Sequence, residues 1–153
     1  MCLQQFMGRF NMQHRIVFKN ADGTVGVIIP AISWAGNLEA LAQKDVPTGL
    51  AWRIVNVDDL PGDRTFRNAW TDDNPTATVD VDMVKARQIH MDYLRHIRNK
   101  KLEALDVEQL KGVDVSSEKQ ALRDMPQNVD LTPYQTPESL KAVMPAILQE
   151  VNP

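Results

Sequence analysis

Cysteine, histidine and aromatic residues are scarce in this chain of 153 residues, which has one cysteine, three histidines and 6% aromatic residues. The single cysteine, Cys2, excludes an intramolecular disulfide, and no base is positioned near it in sequence to activate it as a nucleophile. His90 and His96 lie on one predicted helix and point about 120° away from each other, so they do not share a metal ion. The sequence therefore predicts no metal, no cofactor and no enzyme.

Long apolar runs are also missing. No stretch approaches the roughly eighteen apolar residues of a membrane span, and residues 1–14 lack the continuous apolar core of a secretion signal. The acidic pair Asp72/Asp73 lacks the spacing of a calcium loop, and we interpret it as a turn former. These absences predict a soluble intracellular protein without membrane association, whose residues 1–14 form a flexible lead.

The charge balance is slightly acidic, with 17 Lys and Arg against 20 Asp and Glu and a net charge of -3. This balance argues against nucleic-acid binding as the main function. The middle of the chain is locally cationic through Lys85, Arg87, Arg95, Arg98, Lys100 and Lys101. These side chains are spread around a predicted helix and are interrupted by acidic residues, so we interpret them as a solvated face with some salt bridges to a partner.

The N-terminal part of the chain shows a strand-rich pattern with one short helical stretch. The four stretches are Arg15–Asn20, Val25–Ile29, Leu38–Lys44 and Ala51–Val57. Gly23 supplies the positive φ of a hairpin turn between the first two. Asn37 caps the helix, whose Leu38 and Leu41 then face the sheet. The pattern predicts a small β-β-α-β unit.

Two further stretches follow this unit. Arg64–Trp70 carries Phe66 and Trp70 four residues apart, which indicates either one helical turn or a loop that plugs the junction with the helical half. Ala77–Val81 is rich in residues typical of strands and predicts a brief edge strand.

Asp82–Lys111 is predicted to be one long amphipathic helix. At roughly 1.5 Å per residue it extends about 45 Å. Asp82 is the predicted N-cap, and Gly112 is placed to close the helix in a left-handed conformation. One side of this helix carries Met83, Ala86, His90, Tyr93, Leu94, Ile97, Ala104 and Leu105. A helix of this length needs the rest of the chain or a partner to cover its apolar stripe.

Two shorter helices are predicted after the long one. Ser117–Gln120 matches a capping box, and the helix that it starts should end near Met125 because Pro126 disfavours helical geometry in the preceding residue. The short connection Asp114–Ser116 requires an antiparallel return. Thr136-Pro137 matches an N-cap followed by proline in the first helical position. The last segment then has an apolar face formed by Leu140, Val143, Met144, Ile147 and Leu148.

Together these patterns predict an α+β fold. A small N-terminal β-hairpin-containing β-β-α-β unit is followed by a C-terminal helical hairpin with one long helix. We expect a flexible lead over residues 1–14, the small β-rich unit over 15–70, and the helical hairpin with the C-terminal helix over 78–150.

The apolar stripe of the long helix and the apolar face of the last segment are candidates for a partner-binding surface. We interpret His90 as a packed, hydrogen-bonded core or interface residue and not as a catalytic one. The methionines and aromatics allow two interpretations, a core or an adaptable groove for another protein's strand or helix. The hypothetical partner-binding residues are His90, Tyr93, Leu94, Ile97, Leu140, Met144 and Ile147.

Three sequence strings carry a resemblance to a known family. They are Asp63–Trp70 (DRTFRNAW), Arg98–Leu102 (RNKKL) with Asp106, and Gln120–Pro126 (QALRDMP). The run from Ala86 through Asp124 resembles the C-terminal region of small tailed-bacteriophage proteins identified as tail assembly chaperones or tail-fibre assembly proteins. In the last string Arg123 closes the short helix and has Asp106 or Glu103 of the long helix within its predicted reach.

The resemblance implies a phage or prophage protein that acts in tail or tail-fibre morphogenesis by non-catalytic protein–protein binding. Its partner would be a tail or tail-fibre protein, or a second copy of the chain in a homo-oligomer, and its place the host bacterial cytoplasm during assembly. One alternative is a structural virion component of the tail, baseplate or fibre attachment. Another is a small regulator that binds a host protein or nucleic acid in a salt-sensitive way through Arg95 and Arg98.

Overall fold

The protein has a mixed α+β fold, as the sequence predicts, with 49% helix and 14% strand. The structure is a computed structural model that describes residues 12–34, 36–74 and 78–149. The chain divides into two compact units, Met1–Asp82 and Met83–Pro153, called here the N-terminal and C-terminal units. Of the predicted flexible lead, residues 1–11 lie outside the described residues.

The N-terminal unit is built on a three-stranded antiparallel sheet with the order β2-β1-β3. The strands are β1 (His14–Lys19), β2 (Val25–Ile28) and β3 (Trp52–Asn56). The hairpin turn is closed by the Asn20 N–H, which donates to the Thr24 carbonyl at 2.8 Å, and Gly23 has a φ of +81°. The predicted hairpin and third strand are therefore confirmed.

The two faces of this sheet bury different clusters because successive strand residues point to opposite sides. Ile16 packs against helix α1 (Leu38–Asp45), which contributes Leu38 and Leu41. Asn37 caps α1 by accepting a hydrogen bond from the Ala40 N–H at 2.8 Å, as predicted. On the other face, the buried side chains are Val17, Val25, Val55, Trp70 and Val79.

Trp70 reaches this second face through a short two-stranded sheet. A 3₁₀ turn at Arg67–Ala69 leads into β4 (Trp70–Thr71), which pairs with β5 (Asp80–Val81). Of the two alternatives for this stretch, the helical turn is therefore present. The predicted edge strand is confirmed only at Asp80–Val81, and Ala77 lies outside the described residues. This pairing explains why the N-terminal unit extends to Asp82, whereas the sequence pattern ended it at residue 70.

The acidic pair Asp72/Asp73 forms ion pairs with the three-stranded sheet. Two guanidinium nitrogens of Arg53 donate to the Asp72 carboxylate, at 3.2 and 2.5 Å, and Lys19 Nζ lies 2.5 Å from Asp73 Oδ1. The interpretation of this pair as a turn former was thus incomplete, because sequence alone does not show that β1 and β3 bring Lys19 and Arg53 near it.

Gly26 lies directly under the aromatic ring of Phe18, its neighbour across the β1–β2 pair. A Cβ atom at this position would overlap the ring carbons. We expect Gly26→Ala to force the ring off the strand and to lower the free energy of unfolding of the N-terminal unit by about 1–3 kcal/mol. Urea unfolding followed by tryptophan fluorescence measures this loss. The matched control is Gly62→Ala, where an added Cβ meets no atom within 4 Å, and a loss of equal size there would contradict the overlap.

The C-terminal unit is built on one long helix, α2 (Met83–Leu110), within a residue of the predicted bounds. Its 28 residues extend about 42 Å. At its end Gly112 has a φ of +89°, and the Gly112 and Val113 N–H groups donate to the carbonyls of Gln109 and Glu108 at 3.0 and 3.2 Å. This is a Schellman motif, and it confirms the predicted closure at Gly112.

Helix α3 (Ser116–Asn128) returns along α2 and completes the helical hairpin. It begins at Ser116, with Val115 in the N-cap position and no side-chain cap bond, so the predicted capping box at Ser117–Gln120 was wrong. The Asp114 carboxylate instead accepts hydrogen bonds from the Ser116 N–H and Oγ at 3.0 and 2.7 Å. These bonds lower the pKa of Asp114 below its ordinary value. The helix also continues through Pro126, so the predicted end near Met125 was wrong. In the last turn the proline removes only one backbone hydrogen bond, while buried Met125 still packs inward.

The chain after α3 covers α2 with one short helix and one 3₁₀ turn. Helix α4 (Pro137–Lys141) begins as predicted, with Thr136 Oγ1 accepting a hydrogen bond from the Ser139 N–H at 3.2 Å. The 3₁₀ turn spans Ala146–Leu148. The buried cluster of this unit consists of Leu94, Leu122, Met125 and Leu148. We call residues 129–149 the C-terminal segment.

Candidate partner-binding surface

The seven predicted partner-binding residues do not form one exposed patch. Leu94 and Leu140 are fully buried and His90 is 3% exposed, whereas Tyr93 is half exposed and Ile97, Met144 and Ile147 are half-buried. The physical reason is that α3 and the C-terminal segment already cover most of the apolar stripe of α2. His90, Leu94 and Leu140 are therefore too buried to contact a partner directly. They can only support the exposed surface from inside.

His90 is held in the core by a hydrogen bond to the backbone. Its Nε2 lies 2.9 Å from the Val143 carbonyl oxygen, and since a carbonyl only accepts, this nitrogen carries the proton. The imidazole also lies beside the Tyr93 ring, with the two centroids 5.8 Å apart. This is the packed, hydrogen-bonded position that the sequence pattern favoured for His90.

Two cations of α2 have a structural function that the sequence analysis missed. Arg87 donates to the carbonyls of Leu131 and Tyr134, each at 3.1 Å. Lys101 Nζ donates to the carbonyls of Ile147 and Gln149 at 3.1 and 2.7 Å. Both side chains were interpreted as part of a solvated face, but they attach the C-terminal segment to α2. The position of the two cations could have indicated this function. Arg87 and Lys101 lie on the same side of the helix as His90, which is the side that carries the apolar stripe.

A third cation, the buried Lys119, joins the two helices of the hairpin. Lys119 Nζ lies 2.5 Å from Asp106 Oδ1 and also donates to the Gln109 side-chain oxygen. The predicted contact of Arg123 with Asp106 or Glu103 was therefore wrong. Lys119 lies on the side of α3 that carries buried Leu122, whereas Arg123 is exposed on the outer side.

A groove opens where α2 meets the end of the C-terminal segment. We call it the lysine groove, and its volume is about 620 Å³. Its lining includes four apolar residues and two cations, Ile97, Ala104, Met144, Leu148, Lys100 and Lys101. The wall opposite α2 is fixed by the bonds of Lys101 and by the Gln149 side-chain amide, which donates to the Met144 carbonyl at 3.1 Å.

The charge of this groove comes mainly from Lys100. Within the described part of the chain, its exposed ammonium group makes no hydrogen bond or ion pair. Along α2, the nearest acidic residues are Glu103, which does not line the groove, and Asp106, which pairs with Lys119 at 2.5 Å. On the N-terminal side the nearest is Asp92, which pairs with Arg95 at 2.8 Å. Among the described residues, the lysine groove therefore combines an apolar floor with a positive edge at Lys100.

A second exposed apolar patch lies at the turn of the helical hairpin. Val107, Leu110 and Val113 are 50%, 89% and 49% exposed. Apolar side chains grouped on a surface are typical of protein-binding sites. We call these three residues the hairpin-tip patch.

Among residues 12–34, 36–74 and 78–149, no three His, Cys, Asp or Glu side chains are grouped to hold a metal ion. None of the helices described there has the length and apolar character needed to cross a membrane.

Comparison of the chain with protein-family models, with curated proteins and with solved structures finds no match. The fold and the surface thus define its class only as an α+β protein with a helical-hairpin unit that leaves apolar side chains exposed. A more particular assignment depends on the resemblance and on the surface chemistry.

Proposed function

We propose that this chain is a phage or prophage protein that assists tail or tail-fibre assembly by binding a tail or tail-fibre protein without catalysis. The observation that carries the proposal is the apolar surface left uncovered on the C-terminal unit. Its main parts are Tyr93, the lysine groove and the hairpin-tip patch. The resemblance of the same unit to tail assembly proteins supplies the biological setting.

The physical argument starts from the packing of α2. Its own unit buries the middle of the apolar stripe, so the helix is held in place before any partner arrives. Exposed Leu110, Val107 and Tyr93 then remain as apolar surface that costs free energy in water. A transient partner that covers this surface would gain that free energy without refolding the unit, which suits an assembly chaperone.

The alternative is a permanent structural component of the tail, baseplate or fibre attachment. A structural component would use the same surface. The two functions are therefore distinguished by whether the protein is present in the finished particle and in how many copies. A regulator acting through Arg95 and Arg98 is less supported, because Arg95 is paired with Asp92 and Arg98 donates to the Asn99 side chain.

We expect mass spectrometry of purified phage particles and of the lysate to find the protein only in the lysate, bound to a tail or tail-fibre protein. A chaperone leaves its client when the particle is complete, which is the physical reason for this result. Isotope-labelled peptides of the chain and of a tail subunit provide the copy-number standard. If the protein is present in the particles at a fixed ratio to that subunit, it is a structural component and not a chaperone. Absence of tail and fibre proteins from the complexes of the lysate would contradict both.

A further inference from the structure

We propose that the lysine groove binds an acidic amphipathic helix of the partner, with a carboxylate of that helix paired with Lys100. The inference rests on the proposed function, since it names the chemistry of the segment that this surface captures. It stands on three features of the groove: its size, its fixed wall and its unbalanced charge.

The size of the groove fits a helical segment. Its volume is about 620 Å³, and its match to a helix is one of length. Its α2 wall extends from Ile97 to Ala104, about 10 Å at 1.5 Å per residue. That length accommodates two turns of a partner helix with apolar anchors at positions i, i+4 and i+7.

The wall opposite α2 is held in place before binding. Leu148 is 3% exposed and anchors the segment in the core, while Lys101 and the Gln149 side chain fix the backbone from residue 144 to 149. A partner therefore meets a formed groove, and little conformational entropy is lost on binding.

The charge selects the sign of the partner. Lys100 has no counter-ion among the described residues, and Lys101 is occupied by backbone carbonyls. A carboxylate placed beside an apolar anchor would pair with Lys100, whereas a cationic helix would be repelled. A nucleic-acid strand fits less well, because the apolar side chains among the described lining residues are aliphatic or methionine and provide no aromatic ring for base stacking.

The test uses the full chain labelled with ¹⁵N and two synthetic helical peptides of fourteen residues. One carries leucines at i, i+4 and i+7 with glutamates on both flanks, and the other replaces each glutamate by lysine. We expect saturable binding of the acidic peptide, with shifts of the backbone amide signals of Ile97, Ala104 and Met144. The lysine peptide should bind about five- to tenfold more weakly.

Lys100→Glu should reverse this preference and Lys100→Gln should abolish it, with the amide spectrum showing that both variants are folded. The control is Arg123→Glu, an equal change of charge at an exposed position of α3 outside the groove lining, which should leave the preference unchanged.

Three results would overturn the proposal: equal binding of both peptides, amide shifts confined to other regions, or tighter binding of a twelve-nucleotide single-stranded DNA at the groove. If the acidic peptide does not bind in the groove while the chain still co-purifies with a tail protein, only this inference is contradicted and the proposed function stands. If the acidic peptide binds but no tail or fibre protein does, the proposed function fails instead.

Discussion

Leu94→Ala is expected to lower the free energy of unfolding of the C-terminal unit by about 2–5 kcal/mol. Leu94 is fully buried between α2, α3 and the 3₁₀ turn, where it packs with Leu122, Met125 and Leu148. Removing its side chain beyond Cβ loses apolar burial and leaves a cavity that close-packed neighbours fill only in part. Amide hydrogen exchange of the α2 backbone measures the loss within this unit.

The matched control is Leu110→Ala, the same substitution on the same helix at a position that is 89% exposed. Its effect should stay within about 0.5 kcal/mol. If the two variants lost similar stability, Leu94 would not be a core residue, and the stripe of α2 would have to be open.

His90→Phe is expected to lower the free energy of unfolding of the same unit by about 1–3 kcal/mol. Phenylalanine keeps an aromatic ring of similar shape beside Tyr93, but it has no N–H for the Val143 carbonyl. That carbonyl would then be left unsatisfied in a part-buried position. Urea unfolding monitored by circular dichroism at 222 nm, where helix dominates, measures the change.

The same substitution at His96 provides the comparison, because His96 is exposed on the opposite side of α2. We expect His96→Phe to change stability by less than about 0.5 kcal/mol. The hydrogen-bond argument is contradicted if His90→Phe is as stable as the unaltered chain. Faster exchange of amides in residues 143–149 of the His90 variant would show in addition that this bond holds the C-terminal segment.

The surface that remains for a partner differs from the one that the amphipathic pattern predicts. Periodicity shows that an apolar face must be covered, but not whether the cover comes from the same chain. Here α3 and Leu148 cover Leu94, and His90 is bonded to the Val143 carbonyl of the C-terminal segment. What stays exposed includes Tyr93 at the edge of the stripe, the lysine groove and the hairpin-tip patch. The partner proposal therefore moves from the centre of the stripe to its margins.

The features that the sequence by itself determined are those set by neighbours in the chain. The hairpin turn at Gly23, the caps at Asn37 and Thr136 and the closure of α2 at Gly112 all depend on contacts within a few residues. Such contacts depend on residue type and spacing alone. For the same reason the α+β class and the bounds of the long helix were predictable.

Only the tertiary structure decided which distant groups meet. Arg87 and Lys101 hold carbonyls more than forty residues away along the chain, Lys119 and not Arg123 contacts Asp106, and Arg53 pairs with Asp72. A cation looks the same in sequence whether it is solvated or bound to a carbonyl. Its partner is chosen by the packing of helices and strands, where burial of Leu94, Leu140 and Leu148 outweighs any single polar contact. The lysine groove is a product of that packing, because it exists only where the C-terminal segment meets α2.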